Sequence, residues 1–255
     1  MGSILLTDIR DDVGTITLNR PERINAFNWE MLEEMHKQLD KLAKNENLTA
    51  LIIAAAGDKG FCSGVDLEVL ESLKSPSEAR NFAKLLEETM LKLYQFPLPV
   101  ISQVHGVAYG GGFGLAMSTD IRLLESGTVI RFPAVKIGAI LPITCTIRLN
   151  SIIGQSRAKE LLLSGRGINT DEALMLGMAH AIGSKEHLKS VTEDYLTEFR
   201  KANKQALILQ KIAANQQIVA EISKYAVQSA ENFAYFYASG NWINLRMSLA
   251  AGKNE

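Results

Sequence analysis

The run ALIIAAA at residues 50–56 is apolar without a break, and PVISQV at 99–104 is a second strand-length run; each follows a stretch of helical periodicity. A strand with no polar alternation has no face to give to water. It belongs in a parallel sheet covered on both sides, so the chain is expected to fold as an α/β protein rather than an antiparallel sandwich.

The flanking signals agree. Val13–Leu18 (VGTITL) is rich in β-branched residues and stops at Asn19-Arg20-Pro21, where proline removes a ladder donor and fixes φ. From Asn28 onward, Leu32, Met35, Leu39 and Leu42 share one helical face, with Asn28 as N-cap and Glu30 in the first turn, where the helix dipole favours a carboxylate. The second half reads as helices over 156–163, 170–177 and 184–202, the last with Leu188, Val191, Tyr195 and Phe199 on one face. A further helical stretch is expected from about 204 to 249. Its aromatics, Phe233, Tyr235, Phe236, Tyr237 and Trp242, suit packing against the body or another subunit better than a ligand site. No repeat or Gly/Pro linker divides the chain.

Size and charge bound the function. At 255 residues the chain can bury about 70–75% of its unfolded surface, enough for a core without staples. Lysine plus arginine (27) balance aspartate plus glutamate (28), and no arginine-rich run offers a footprint for nucleic acid. The two cysteines, Cys62 and Cys145, have no zinc spacing and cannot build a disulfide framework. No run of about 18 apolar residues suggests a membrane span, and the N-terminus lacks a signal-peptide pattern. A cytoplasmic protein without metal is the expectation.

Chemistry is concentrated at two glycine turns. Tyr109-Gly110-Gly111-Gly112-Phe113-Gly114 follows the 99–104 run and opens a helix; Gly60-Phe61-Cys62-Ser63-Gly64-Val65-Asp66-Leu67 follows the 50–56 run. Glycines let the backbone approach a ligand, and first-turn amides point at it. Leu115 stands where a dinucleotide-binding GxGxxG needs its third glycine, and no GxxxxGK[ST] or GxSxG occurs. Two turns on one sheet edge could converge two N–H groups on an oxyanion, or both could be tight turns and nothing more.

The segments NRPERINAFN, GFCSGVDL, VISQVHGVAYGGGFGLAMSTDI and FPAVKIGAILP, followed by RLNSIIGQSRAKELLLSGRGINTDEALMLGMAHAIG, resemble the enoyl-CoA hydratase/isomerase superfamily, the crotonases, over about residues 5–183. The resemblance implies a spiral of ββα units over residues 1–200 and a helical oligomerisation region over 201–255, assembled as a homotrimer or hexamer. It also implies an acyl-CoA substrate whose thioester carbonyl sits between the backbone amides of Val65 and Gly111. Fixed donors aimed at developing charge are typically worth ~3 kcal/mol each. Arg23, Ile24, Ala26, Ser63, Asp66 and Leu67 would form the coenzyme A groove, with Arg23 on the phosphates unless it is a solvated surface charge. No cofactor is expected beyond the coenzyme A carried by the substrate.

The departures from the family pattern are as telling. Hydratases of this family carry a glutamate three residues beyond the oxyanion glycine and another after the proline of an FGxPE-like segment. Here those positions are Gly114 and Ala134. Hydration needs groups to activate water and protonate carbon, worth about 10²–10⁴-fold, so ordinary hydratase activity is not expected. Asp66 and Asp120 read as structural and His105 as a packing residue. Glu87 and Glu88 lie on the helix before residue 99, a region from which some superfamily members recruit an acid or base, although a glutamate on an amphipathic helix usually faces solvent. Tyr109 and Cys145 are lesser candidates. The expected function is a lyase or isomerase acting on acyl-CoA. The alternatives are a decarboxylase using a recruited residue, a non-catalytic acyl-CoA-binding or scaffolding homologue, and an oligomerising structural protein.

Overall fold

A computed structural model describes residues 3–240. The chain opens with a hairpin, β1 (Leu5–Arg10) and β2 (Val13–Leu18), then a 3-10 turn at Pro21–Arg23 and α1 (Trp29–Ala43). Asn28 caps α1, its side chain accepting from the Met31 amide, and Leu32, Met35, Leu39 and Leu42 are buried as their spacing predicts.

Three strand pairs follow, each giving one strand to each of two sheets. β3 (Ala50–Ala55) leads to β4 (Gly60–Cys62), then α2 (Leu67–Ser72) and α3 (Pro76–Tyr94). β5 (Val100–Val104) leads to β6 (Val107–Tyr109) and α4 (Gly111–Met117). β7 (Ile121–Glu125) leads to β8 (Val129–Arg131) and a 3-10 turn at Pro133–Ile137. Helices α5 (Ile143–Ile153), α6 (Gln155–Ser164), α7 (Thr170–Met175), α8 (Lys185–Lys201) and α9 (Lys204–Ala238) complete the described chain, with short strands β9 (Gly167–Ile168) and β10 (Ala181–Gly183) between them.

The larger sheet runs β1-β2-β3-β5-β7-β10 and the smaller β4-β6-β8-β9. In the larger, β2/β3, β3/β5, β5/β7 and β7/β10 are all parallel, with Leu51 opposite Val100 and Ile101 opposite Ile121. The apolar runs thus lie in the middle of a parallel sheet. One face meets the main core, and the other meets α8, whose Leu188, Val191, Tyr195 and Phe199 pack against Val13, Ala50, Ile101 and Leu123.

The glycine cluster at 110–112 does not follow the 99–104 run directly, because β6 intervenes, and Gly60 to Cys62 is a strand in its own right. The two glycine turns therefore leave the smaller sheet. Strands of three residues are too short to show any alternation.

α9 lies against α3 and α5, and its Phe233, Phe236 and Tyr237 meet the core. Tyr235 points outward, 80% exposed. Trp242 and the rest of the helical expectation for residues 241–249 fall outside the described residues. No described helix is long and apolar enough to cross a membrane.

Candidate active site

β4 and β6 are parallel neighbours, so the turns that leave them lie side by side. Gly64 has φ +95°, and a Cβ on it would stand 2.9 Å from the Tyr109 carbonyl oxygen and 3.5 Å from Gly111 N. Only glycine permits that approach. The segment before α1 locks the first turn from its other side: Phe27 N–H donates to the Gly64 carbonyl at 2.7 Å, and Asp66 N–H donates to the Phe27 carbonyl at 3.0 Å. These bonds straddle Val65 and leave its N–H unused. Gly111 opens α4, where no carbonyl lies one turn behind to accept its amide. Among the described residues neither amide donates to a protein acceptor, and both residues line one cavity.

The cavity is apolar, walled by Leu67, Leu70, Ala83, Leu86, Leu141 and Phe233. Among the described residues, its lining holds a single carboxylate, Glu87, and no lysine, arginine or histidine. Ala83, Leu86 and Glu87 come from one face of α3, whereas Glu88 turns outward to pair with Lys84. Glu87 is 3% exposed. Its Oε1 accepts from Ile143 N (2.5 Å) and Ser229 Oγ (2.6 Å), and its Oε2 from Thr144 N (3.1 Å) and Thr144 Oγ1 (2.7 Å). The carboxylate thus caps α5, whose N-cap residue, Pro142, makes no side-chain cap. A buried carboxylate with four donors and a helix N-terminus beside it is the expected resolution of an otherwise costly burial.

Sequence reasoning gave Glu87 no preference over Glu88. A signal was present: Ala79, Phe82, Ala83, Leu86, Met90 and Leu93 are the buried face of α3, and position 87 falls four residues after 83 and three before 90, on that face.

Gly114 and Ala134 stand in different surroundings. Ala134 lines the cavity. Gly114 is buried in α4 under Cys145, whose Sγ occupies the space a side chain at 114 would need. Burial, and then the nearby Glu87 charge, push the Cys145 thiol well above the ordinary range, and burial pushes Cys62 up to about 12. Neither is a thiolate nucleophile.

Of the other expected residues, Ser63 and Leu67 line the cavity, whereas Arg23, Ile24, Ala26 and Asp66 do not. Ser63 N–H donates to the Ile24 carbonyl (2.9 Å) and Ser63 Oγ to the Arg23 carbonyl (3.3 Å). Ile24 and Asn25 hold positive φ, +48° and +53°, with Asn25 buried and donating to the Ala56 and Gly60 carbonyls. Ala26 is buried; Leu67, 38% exposed, lines the cavity. Arg23 is exposed and paired with Glu68. Asp66 is buried: its Oδ2 pairs with Arg20 at 3.0 Å and its Oδ1 caps α2 through Glu68 N.

Asp120 accepts from Val100 N and Lys211 Nζ, and His105 Nε2 is 2.7 Å from the Gly57 carbonyl. Neither lines the cavity, nor does Tyr109, whose ring lies beside the Arg131 guanidinium.

The sequence model of the family Enoyl-CoA hydratase/isomerase matches residues 8–249. The chain is 30% identical over 215 residues to the short-chain-enoyl-CoA hydratase of Clostridium acetobutylicum, covering 84% of this chain and 77% of that one. It is 32% identical over 193 residues to the ethylmalonyl-CoA decarboxylase of Gallus gallus, covering 75% and 64%. Its fold superposes on the crystal structure of enoyl-CoA hydratase from Bacillus halodurans with a TM-score of 0.90, covering 96% of this chain and all of that one at 24% identity.

Proposed function

This chain belongs to the enoyl-CoA hydratase/isomerase family, and from that premise we propose that it transforms acyl-CoA thioesters by stabilising an enolate between the amides of Val65 and Gly111. The supporting observation is the pair of uncommitted N–H groups, brought together by a glycine that tolerates the close approach, on the wall of one apolar cavity. Ser63, Ile24, Ala26 and Leu67 form the coenzyme A groove, Arg23 exchanges its contact with Glu68 for the coenzyme's phosphates, and Asp66 braces the groove. The chemistry calls for no cofactor beyond the substrate's own coenzyme A. Hydration is weak, because Gly114 and Ala134 supply neither of the two carboxylates it needs.

Decarboxylation is the second reading. An ethylmalonyl-CoA decarboxylase is among the relatives, and loss of CO₂ generates an enolate without a base. The protein works as a homotrimer or hexamer, a reading supported by exposed Leu209, Ile212, Val227 and Tyr235 on α9. Two buried, unpaired cysteines suit the reducing cytoplasm we assign to it.

Calorimetric titration with butyryl-CoA tests the reading. Micromolar affinity, about −8 kcal/mol, is expected. No binding to any of several acyl-CoAs overturns it. Light scattering is expected to give a mass three or six times 28.0 kDa.

A further inference from the structure

Gly114 and Ala134 carry no carboxylate, yet the cavity keeps one. Met90 ties its location to the oxyanion turns: Met90 Cε lies 3.5 Å from a Cβ built on Gly111 and 3.4 Å from one built on Gly114. Glu87 precedes Met90 by three residues on the same buried face of α3, and it lines the cavity that Val65 and Gly111 also line. Cys145, which fills the space at Gly114, neighbours Thr144, and Thr144 binds Glu87. The space is filled from α5, and the charge is supplied from α3.

Resting on the acyl-CoA reading above, we propose that Glu87 is the catalytic acid–base residue of this pocket, acting alone on neutral, apolar acyl groups. Glu87 takes a proton from the α-carbon of the bound thioester. The C–H electron pair becomes the enolate double bond, and the thioester oxygen carries the negative charge between the Val65 and Gly111 amides. The carboxylic acid then returns the proton, to the α-carbon in simple exchange or to the γ-carbon of a dienolate, which shifts the double bond. No water, oxidant or second carboxylate enters the balance.

The network around Glu87 suits this role. Two of its donors, the Ile143 and Thr144 amides, are fixed; the other two are hydroxyls that rotate. Ser229 itself lines the cavity, so turning its O–H aside frees Oε1 toward substrate. Thr144 and Ser229 are positioning residues. The substrate class follows from charge. No cation stands among the cavity's described lining residues, so a carboxylated acyl group there would share an apolar site with the Glu87 carboxylate, which is unfavourable. The geometry therefore points to enoyl-CoA double-bond migration and against decarboxylation of malonyl-type thioesters.

The test uses the full chain in D₂O with butyryl-CoA and but-3-enoyl-CoA, read by mass spectrometry. The wild type is expected to place deuterium at the α-carbon of the first and to convert the second to crotonyl-CoA. Glu87→Gln should slow both by at least about 10²-fold while binding butyryl-CoA within about threefold of wild type. Wild-type exchange rates in Glu87→Gln, or a wild type that binds butyryl-CoA and exchanges nothing, overturn the assignment. If no CoA thioester binds at all, the underlying acyl-CoA reading fails instead. Because Glu87→Gln also disturbs a helix cap, Ser229→Ala supplies an independent readout. It should move the pH profile of exchange without changing butyryl-CoA affinity, and an unmoved profile counts against the role.

Discussion

Cys145 stands where a side chain on Gly114 would have to go, its Sγ filling that space beneath α4. The volume a carboxylate side chain at position 114 would need is thus given to the core. Gly114→Ala should destabilise the protein by about 1–3 kcal/mol, the usual cost of overpacking. Gly114→Ala combined with Cys145→Ala should recover most of that loss. Urea denaturation of the two single variants and the double variant measures the coupling.

Crotonyl-CoA should be hydrated negligibly by the wild type, and Gly114→Glu should not restore activity, because Cys145 Sγ occupies the space its first side-chain carbon needs. Ala134→Glu behaves differently. Position 134 is on the cavity wall, so this variant brings a second carboxylate into the cavity and should raise hydration by about 10²-fold, the low end of the range for one acid–base group. Loss of the crotonyl-CoA absorbance reports the rate.

Val65→Pro should lower turnover by about 10²–10³-fold, the typical effect of losing one oxyanion donor, whereas Val65→Ala should leave it nearly unchanged. The contrast is informative because the bonds that hold this turn use Gly64 O and Asp66 N rather than Val65 N. Steady-state kinetics on the same acyl-CoA, with circular dichroism to confirm folding, separates the two variants.

Much of this arrangement was legible in the sequence, for local reasons. Asn28 announced α1 because a capping side chain acts on the amide three residues ahead. The 50–56 run announced a two-sided parallel strand because no alternation was present. What stayed hidden was set at long range. β4, β6 and β8 have three residues each, and they exist only because each spiral turn pairs with the last. The burial of Gly114 depends on Cys145, 31 residues away in the chain. Glu87 and Glu88 are adjacent and chemically alike; α9, which delivers Ser229 to Glu87 from 142 residues away, helps turn one of them into a cavity residue.

Stability should carry a histidine signature. His180 Nδ1 accepts a hydrogen bond from the Arg122 amide at 3.1 Å. His180 as a residue is exposed, but desolvation of the ring's inner side, and then the Arg122 charge, lower its pKa from the ordinary 6.5 to about 4. Between those values the unfolded chain binds a proton that the folded chain refuses, so the contribution is complete above about pH 6.5 and is lost as the pH falls toward 4. Part of the ring remains in water, which keeps the slope below one proton. His180→Gln should flatten urea-derived stability across that window relative to the wild type.

The account rests on the Val65 and Gly111 amides polarising a thioester carbonyl, and an isotope-edited infrared difference spectrum reads that directly. Butyryl-CoA labelled with ¹³C at the carbonyl should show its C=O stretch shifted to lower frequency on binding than in water, with the shift largely lost in Val65→Pro. A bound carbonyl that absorbs at its solution frequency, or a shift that survives intact in Val65→Pro, would contradict the account.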